Sequence, residues 1–302
     1  MTPGAAMKPG DVVDLGSGVR RIVAPNPGIM TGPGTNTYLL GSDSVALIDP
    51  GPDDDAHFAA LCEAVGDRLR WVLATHTHID HSPLAARLKT ATGAQVLGFG
   101  KAPTVKVPGL DSQDLTFSPD RRLADGDVLE TPELTLAAVH TPGHASNHLC
   151  FQLRDTGLLF SGDHVMSGST VVIAPPDGDM ALYLEAIERV RDLAPARIAP
   201  GHGEMIEDAG AVLNEYLAHR RSRETQVLAG LAGAGQAGVT SSALVESIYV
   251  DVPDKLHPVA RYSVWAHLRK LAAESRAATT ALDDPDATWW AAGFGPRASS
   301  GI

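Results

Sequence analysis

The chain has 302 residues, with 24 Lys+Arg against 36 Asp+Glu, a formal net charge of -12, and 44% hydrophobic residues. That length suggests about two domains, and the composition is that of a globular protein with a sizeable core rather than a disordered chain. The acidic balance argues against a protein devoted to wrapping nucleic acid or coating an anionic membrane.

In chain order, residues up to about 205 read as alternating strands and helices. Apolar, β-branched segments fall at 37–48, 71–75, 94–97, 134–139, 149–153 and 158–160. Between them, 55–65, 82–92 and 180–193 carry apolar residues at the three- and four-residue spacing of amphipathic helices. Turns rich in Gly and Pro separate these pieces at 25–34, 50–52, 142–143 and 200–203. From Glu207 the pattern turns almost wholly helical. Leu213, Tyr216 and Leu217 share a face, then Val227, Leu228 and Leu231. Thr240 or Ser241 can cap a short helix carrying Leu244, Val245 and Ile248. A longer helix from about His257 carries Val259, Tyr262, Trp265, Leu268 and Leu271. Two β-prone pieces, 278–282 and 287–291, flank the acidic turn Asp283-Asp284-Pro285-Asp286, a hairpin signal. Three helices and a hairpin suggest a small winged-helix-like domain. The expected division is a catalytic domain over 1–206, the helical domain over 207–294 and a flexible tail over 295–302.

The segment Thr75-His76-Thr77-His78-Ile79-Asp80-His81 follows the apolar run 71–74, where a strand should end. Strand alternation puts His76 and His78 on one side, and two imidazoles aimed one way can bind one borderline-soft metal. Asp80 is expected to start the next helix, with His81 in its first turn. The same grammar of strand, Gly-containing turn and metal-type side chain recurs at His140-Thr141-Pro142-Gly143-His144, Ser161-Gly162-Asp163-His164 and Pro200-Gly201-His202-Gly203. Ligands at the ends of several strands can converge on one edge of a sheet.

This ordered set resembles the metallo-β-lactamase superfamily over roughly residues 12–205. The resemblance implies an α+β fold, a four-layer αβ/βα sandwich with a two-metal site at one edge. It places His76, His78 and His144 on one metal and Asp80, His81 and His202 on the other, with Asp163 bridging. The helical part resembles the winged-helix appendage of the β-lactamase-like protein 2 group, and 36–40 and 48–51 resemble that group's N-terminal motifs. The best-characterised animal members of that group are described as endoribonucleases acting on single-stranded RNA, and many bacterial relatives as hydrolases or glyoxalase II-like proteins.

The expected activity is metal-dependent hydrolysis by a hydroxide bridging two Zn2+ ions, with Fe or Mn as alternative metals and Asp80 orienting the hydroxide and taking its proton. The expected substrate is a small-molecule ester or thioester. RNA is the alternative, followed by a lactone, an iron-dependent sulfur dioxygenase reaction, or a non-catalytic nucleic-acid-binding module. The flavo-diiron pattern is disfavoured because it puts Glu where His78 stands. Asp49 is expected to hold a ligand imidazole. His148 is expected to approach the substrate or bond a loop, and His164 to lie outside the ligand set. Cys150 reads as a buried small hydrophobe. The Gly-rich loop 27–34 lacks the P-loop Lys-Ser/Thr ending and reads as a flap with Met30 near its tip; 168–180 reads as another wall.

Cys62 and Cys150 form no disulfide framework, the N-terminus lacks the apolar core of a secretory signal, and no run of about 18 apolar residues occurs. A cytoplasmic protein without a membrane partner is therefore expected. Residues 215–276 hold eight Lys/Arg against six acids, but the expected wing adds Asp283, Asp284 and Asp286. Phosphate repulsion would be greatest there. RNA contact would be left to the Arg220–Arg223 and Arg269-Lys270 surfaces. The helical domain is expected to form a homodimer or to wall the active site rather than to read a groove.

Overall fold

The computed structural model describes residues 7–101, 113–250 and 252–295. The first sheet has seven strands in chain order: β1 (Val13–Gly16), β2 (Val19–Val23), β3 (Asn36–Leu40), β4 (Val45–Ile48), β5 (Leu69–Leu73), β6 (Gln95–Gly98) and β7 (Arg121–Arg122). Its first four strands pair antiparallel. From β4 onward pairing is parallel, and parallel neighbours need a crossover. Helices α1 (Asp55–Val65) and α2 (Leu84–Thr92) supply the crossovers between β4, β5 and β6. The second sheet contains β8 (Val128–Glu130), β9 (Thr135–His140), β10 (Leu149–Leu153), β11 (Leu158–Gly162) and β12 (Arg197–Pro200), in the order β12-β11-β10-β9-β8. Helix α3 (Met180–Asp192) joins β11 to its parallel neighbour β12.

Period-two alternation sorts these strands into layers. Tyr38, Leu40, Ala46 and Ile48 from the first sheet meet Leu149, Phe151, Leu153 and Phe160 from the second in the central core. The intervening Leu39, Val45 and Leu47 face α1 and α2 with Leu61, Val65 and Leu88. Cys150, Leu159 and Ile198 face α3 with Tyr183, Ile187 and Val190. The result is a four-layer helix–sheet–sheet–helix sandwich. The apolar segment 37–48 is two strands rather than one. Its polar middle turns, and the Glu133 carboxylate accepts from the backbone N–H of Ser42, Asp43 and Ser44 at 2.7–2.9 Å.

The C-terminal part contains α4 (Ala209–Ala234), β13 (Val239–Thr240), α5 (Ser241–Ile248), α6 (His257–Ala273), β14 (Ala277–Thr279) and β15 (Thr288–Ala291). The three strands form a small sheet in the order β13-β15-β14. Sequence periodicity missed β13, only two residues long. The Thr240 hydroxyl caps α5 by accepting from the Ala243 N–H. Helix α4 belongs to two cores: Leu213, Tyr216 and Leu217 pack with α3, while Val227 and Leu231 pack with Trp265, Leu268 and Trp289. Trp265 and Trp289 are buried, which leaves neither ring free to stack on a base. No described helix is long and apolar enough to cross a membrane. Of the tail expected over 295–302, residues 296–302 lie outside the described residues.

Phe151 lies almost wholly buried where the two sheets face each other. Phe151→Ala should lower unfolding free energy by about 3–5 kcal/mol, read by equilibrium urea denaturation.

Candidate metal centre

β9 and β11 both run antiparallel to β10, and β12 runs parallel to β11. Their C-terminal ends therefore share one edge of the second sheet. The chain leaving β5 meets that edge, where the Leu149 N–H donates to the Thr75 carbonyl at 2.7 Å. Four strand ends thus deliver the motif side chains to one volume. His76, His78, His144 and Asp163 form one group of potential ligand atoms, and Asp80, His81 and His202 another. Within each group these atoms lie within 4.8 Å of one another. Asp163 faces both groups. Its Oδ1 lies 3.4 Å from His81 Nε2 and 3.3 Å from His202 Nε2, and its Oδ2 lies 3.6 Å from His144 Nε2.

Asp80 and His81 do not begin a helix as the sequence suggested. The His81 and Ser82 N–H groups both bond back to the His78 carbonyl, closing a tight turn, and α2 starts only at Leu84 after Pro83. Gly201 is required beside this turn. A Cβ there would stand 2.7 Å from Asp163 Oδ1 and 2.8 Å from His81 Cε1, inside the site itself.

Hydrogen bonds on the outer ring nitrogens fix which imidazole atoms face inward. His144 Nδ1 bonds the Val172 carbonyl at 2.8 Å, and His202 Nδ1 bonds the Gly34 carbonyl at 3.2 Å. A carbonyl only accepts, so both Nδ1 atoms carry the proton. His81 Nδ1 lies 2.9 Å from Asp49 Oδ2. The Thr75 hydroxyl donates to Asp49 Oδ2, which leaves it to accept from His76 Nδ1 at 3.0 Å. The inward Nε2 atoms of these four histidines are therefore free to present lone pairs. His76 Nε2 approaches His78 Nδ1 at 2.9 Å, and His144 Nε2 approaches it at 3.1 Å. His81 Nε2 and Asp163 Oδ1 are buried with no hydrogen-bond partner. Convergent lone pairs and orphaned buried acceptors are the donor set of a divalent cation.

Charge divides the two groups. Burial, aided by the neighbouring imidazoles, holds His76 neutral and pushes His78 down to about 3. Burial would lower His81 and His202 too, but carboxylates outweigh it. Asp80, Asp163 and Asp49 raise His81 well above its ordinary value, and Asp163 and Asp80 raise His202 to about 9. This second group demands positive charge, whether from protons or from a cation.

The metallo-beta-lactamase superfamily profile matches residues 30–202, and that of the beta-lactamase associated winged helix domain matches residues 240–289. The chain belongs to the metallo-β-lactamase superfamily. It is 33% identical over 277 residues to a protein named beta-lactamase-like protein 2 homolog from Drosophila melanogaster, covering 88% of this chain and 91% of that one. It is 31% identical over 258 residues to a protein named atrochrysone carboxyl ACP thioesterase from Aspergillus chevalieri, covering 81% and 77%. A solved metallo-beta-lactamase family protein from Thermus thermophilus shares the fold with a TM-score of 0.75 at 22% identity, covering 92% of this chain and 100% of that one.

Around this superfamily centre, the remaining candidates are supports. Asp49 accepts from the Thr75 N–H and hydroxyl as well as facing His81. It does so at a φ of 54°, a left-handed conformation uncommon outside glycine. His148 is buried away from solvent. Its Nε2 accepts from the Asp163 N–H at 3.2 Å and its Nδ1 faces the Thr141 hydroxyl, so it holds the Asp163 backbone rather than a substrate. His164 lies outside both groups, between His148 and Tyr183. His140 stacks on Phe99 and bonds the Ser146 carbonyl. Sequence reasoning missed the Thr75 hydroxyl and the Gly34 and Val172 carbonyls. Gly34 had a signal in its Gly-rich loop; the Val172 carbonyl had none, because any residue carries one.

Asp49→Asn replaces a carboxylate that holds His81 with a neutral amide. It should weaken divalent-metal retention about 10- to 100-fold, read by elemental analysis after dialysis against graded chelator.

Proposed function

We propose that this chain is a hydrolase that uses two zinc ions to cleave a small thioester with an apolar acyl part. The observation that carries the metal reading is the inward convergence of imidazole lone pairs on either side of Asp163. When bound, divalent ions in such paired sites lower the pKa of a water toward neutrality and polarise the carbonyl under attack. His76, His78 and His144 would hold one ion, and Asp80, His81 and His202 the other, with Asp163 shared. The Asp80 side chain is 22% exposed, against 0% for His81 and 5% for His202. Its Oδ2 faces His202 Nε2 at 3.3 Å, and on this reading the more open carboxylate orients a water and accepts its proton.

Two observations favour a thioester over RNA. Ile79, between His78 and Asp80, is 49% exposed, and Ile29 and Met30 are exposed on the loop that ends at Gly34. These apolar side chains suit an acyl chain. The cations offered for RNA contact are engaged within the protein. Arg220 is buried, Arg223 donates to the Ile248 carbonyl, Arg269 pairs with Asp283, and Lys270 pairs with Glu224 and Glu274. The relative named as a thioesterase supports the same choice.

A cysteine nucleophile is disfavoured. Burial pushes the Cys150 thiol up to about 12, so it carries no thiolate at neutral pH.

Purified chain assayed against acyl thioesters of increasing length, an ester, a lactone and a single-stranded RNA tests the reading. Thioester turnover should be greatest, vanish with a chelator and return with Zn2+. Cleavage of the RNA alone would overturn it. Asp80→Asn should lower kcat on the thioester about 10²- to 10⁴-fold, while Cys150→Ala should leave it near the parent value.

A further inference from the structure

Residues 170–174, Thr-Val-Val-Ile-Ala, leave the second sheet after Asp163 and pass between two cores. Their side chains alternate. Val171 and Ile173 enter the core beneath α3, while Val172 and Ala174 pack against the C-terminal core of α5 and α6. The backbone of three successive residues is tied in three directions. The buried Arg220 side chain of α4 donates to the Val171 carbonyl. The Val172 carbonyl accepts from His144 Nδ1. The Ile173 N–H donates to the Ser263 hydroxyl of α6 at 3.3 Å. The middle residue thus orients an inward-facing imidazole, and both of its neighbours are anchored by the C-terminal helices.

Arg220 is built into this place. It is 2% exposed, and its guanidinium lies 5.2 Å from the centre of the Tyr183 ring. Tyr183 in turn donates to the His164 carbonyl, one residue after Asp163. A buried guanidinium keeps its donors only where acceptors are fixed, and here the fixed acceptor is the strap itself.

We propose that Arg220 and Ser263 are positioning residues of the metal centre: the C-terminal helices hold the Val171–Ile173 strap, and the strap's Val172 carbonyl holds the His144 imidazole in the tautomer and orientation that aim Nε2 at the His76/His78 group. The winged-helix part is then a structural member of the metal site. The proposal rests on the metal-centre reading and not on the thioester reading.

Co2+ binding to the full chain is the test, followed by chelator competition and by the visible absorption of the bound ion. Ser263→Ala leaves the Ile173 N–H buried without its acceptor, and Arg220→Met keeps bulk while removing the donor. Both should weaken Co2+ affinity about 10-fold or more and change the absorption spectrum, as loss of a support behind a ligand imidazole does. Ser263→Thr keeps the hydroxyl and should restore parent affinity and spectrum. Arg221→Ala, which removes an exposed ion pair with Glu188 one position along the same helix, should bind as the parent does. Should Arg220→Met fail to fold, the Ser263 pair decides. Parent-like affinity and spectrum in Ser263→Ala, or equal loss in Arg221→Ala, would overturn the proposal. A parent chain that binds no Co2+ overturns the metal-centre reading with it, whereas one that binds Co2+ but cleaves no thioester overturns the thioester reading alone.

Discussion

Five imidazoles and two carboxylates are pressed into one largely buried volume, with the inward nitrogens of His76, His78 and His144 crowded together and those of His81 and His202 facing carboxylates. His76 Nε2 and His144 Nε2 approach His78 Nδ1 at 2.9 and 3.1 Å, and that one nitrogen can donate to at most one of them. Such crowding needs support, and four of the rings, His76, His81, His144 and His202, are tied from behind. The fold is organised to supply those ties. Strand ends bring the rings together, while a loop carbonyl, a hydroxyl, a carboxylate and a strap carbonyl take up the outer nitrogens. Asp49 adopts a left-handed backbone conformation to do its share. Local strain of this kind persists where the surrounding structure fixes it, here by three hydrogen bonds to one carboxylate.

The inward-facing residues were legible in the sequence because they are chemically rare and closely spaced. Four ligand-type side chains within His76–His81, directly after the apolar run 71–74, leave few alternatives to a strand ending at a metal-type site. The four layers came from the resemblance and not from alternation, because 36–40 and 149–153 are buried on both faces. The ties were less so. Asp49 was visible as an acid at a strand end, but carbonyl partners at Gly34 and Val172 have no side-chain signature. The position of α2 was misjudged because local pattern favoured a helix from Ser82, whereas the turn closing on the His78 carbonyl delays it to Leu84. The long α4 reads in sequence as two apolar faces, and only tertiary packing shows that one continuous helix serves two cores.

The acidic wing acquires a different meaning in three dimensions. Asp283 and Asp286 look in sequence like a tip that repels phosphate. In the structure they face α6, where Arg269 lies 2.5 Å from Asp283 and Arg261 lies 2.7 Å from Asp286. Exposed pairs of this type contribute little stability, about 0–1 kcal/mol each. Their consequence is to occupy the arginines that a polyanion would need. Ser263 of the same helix and Arg220 of α4 turn inward toward the sandwich. Helix α6 therefore spends its polar side chains on the protein itself, on the wing side and on the strap side alike.

That distribution bears on substrate size. Asp49, Asp80 and Asp163 place three carboxylates at or behind the centre, so two divalent ions would leave it about one positive charge, which a bound hydroxide would cancel. A polynucleotide adds one phosphate per nucleotide beyond the scissile bond, and each must find a cation outside the centre. The chain has a net charge of -12, and the described arginines of α6 are already paired. On the thioester reading proposed above, the exposed Ile79, between His78 and Asp80 in the chain, would be an apolar surface for the acyl group.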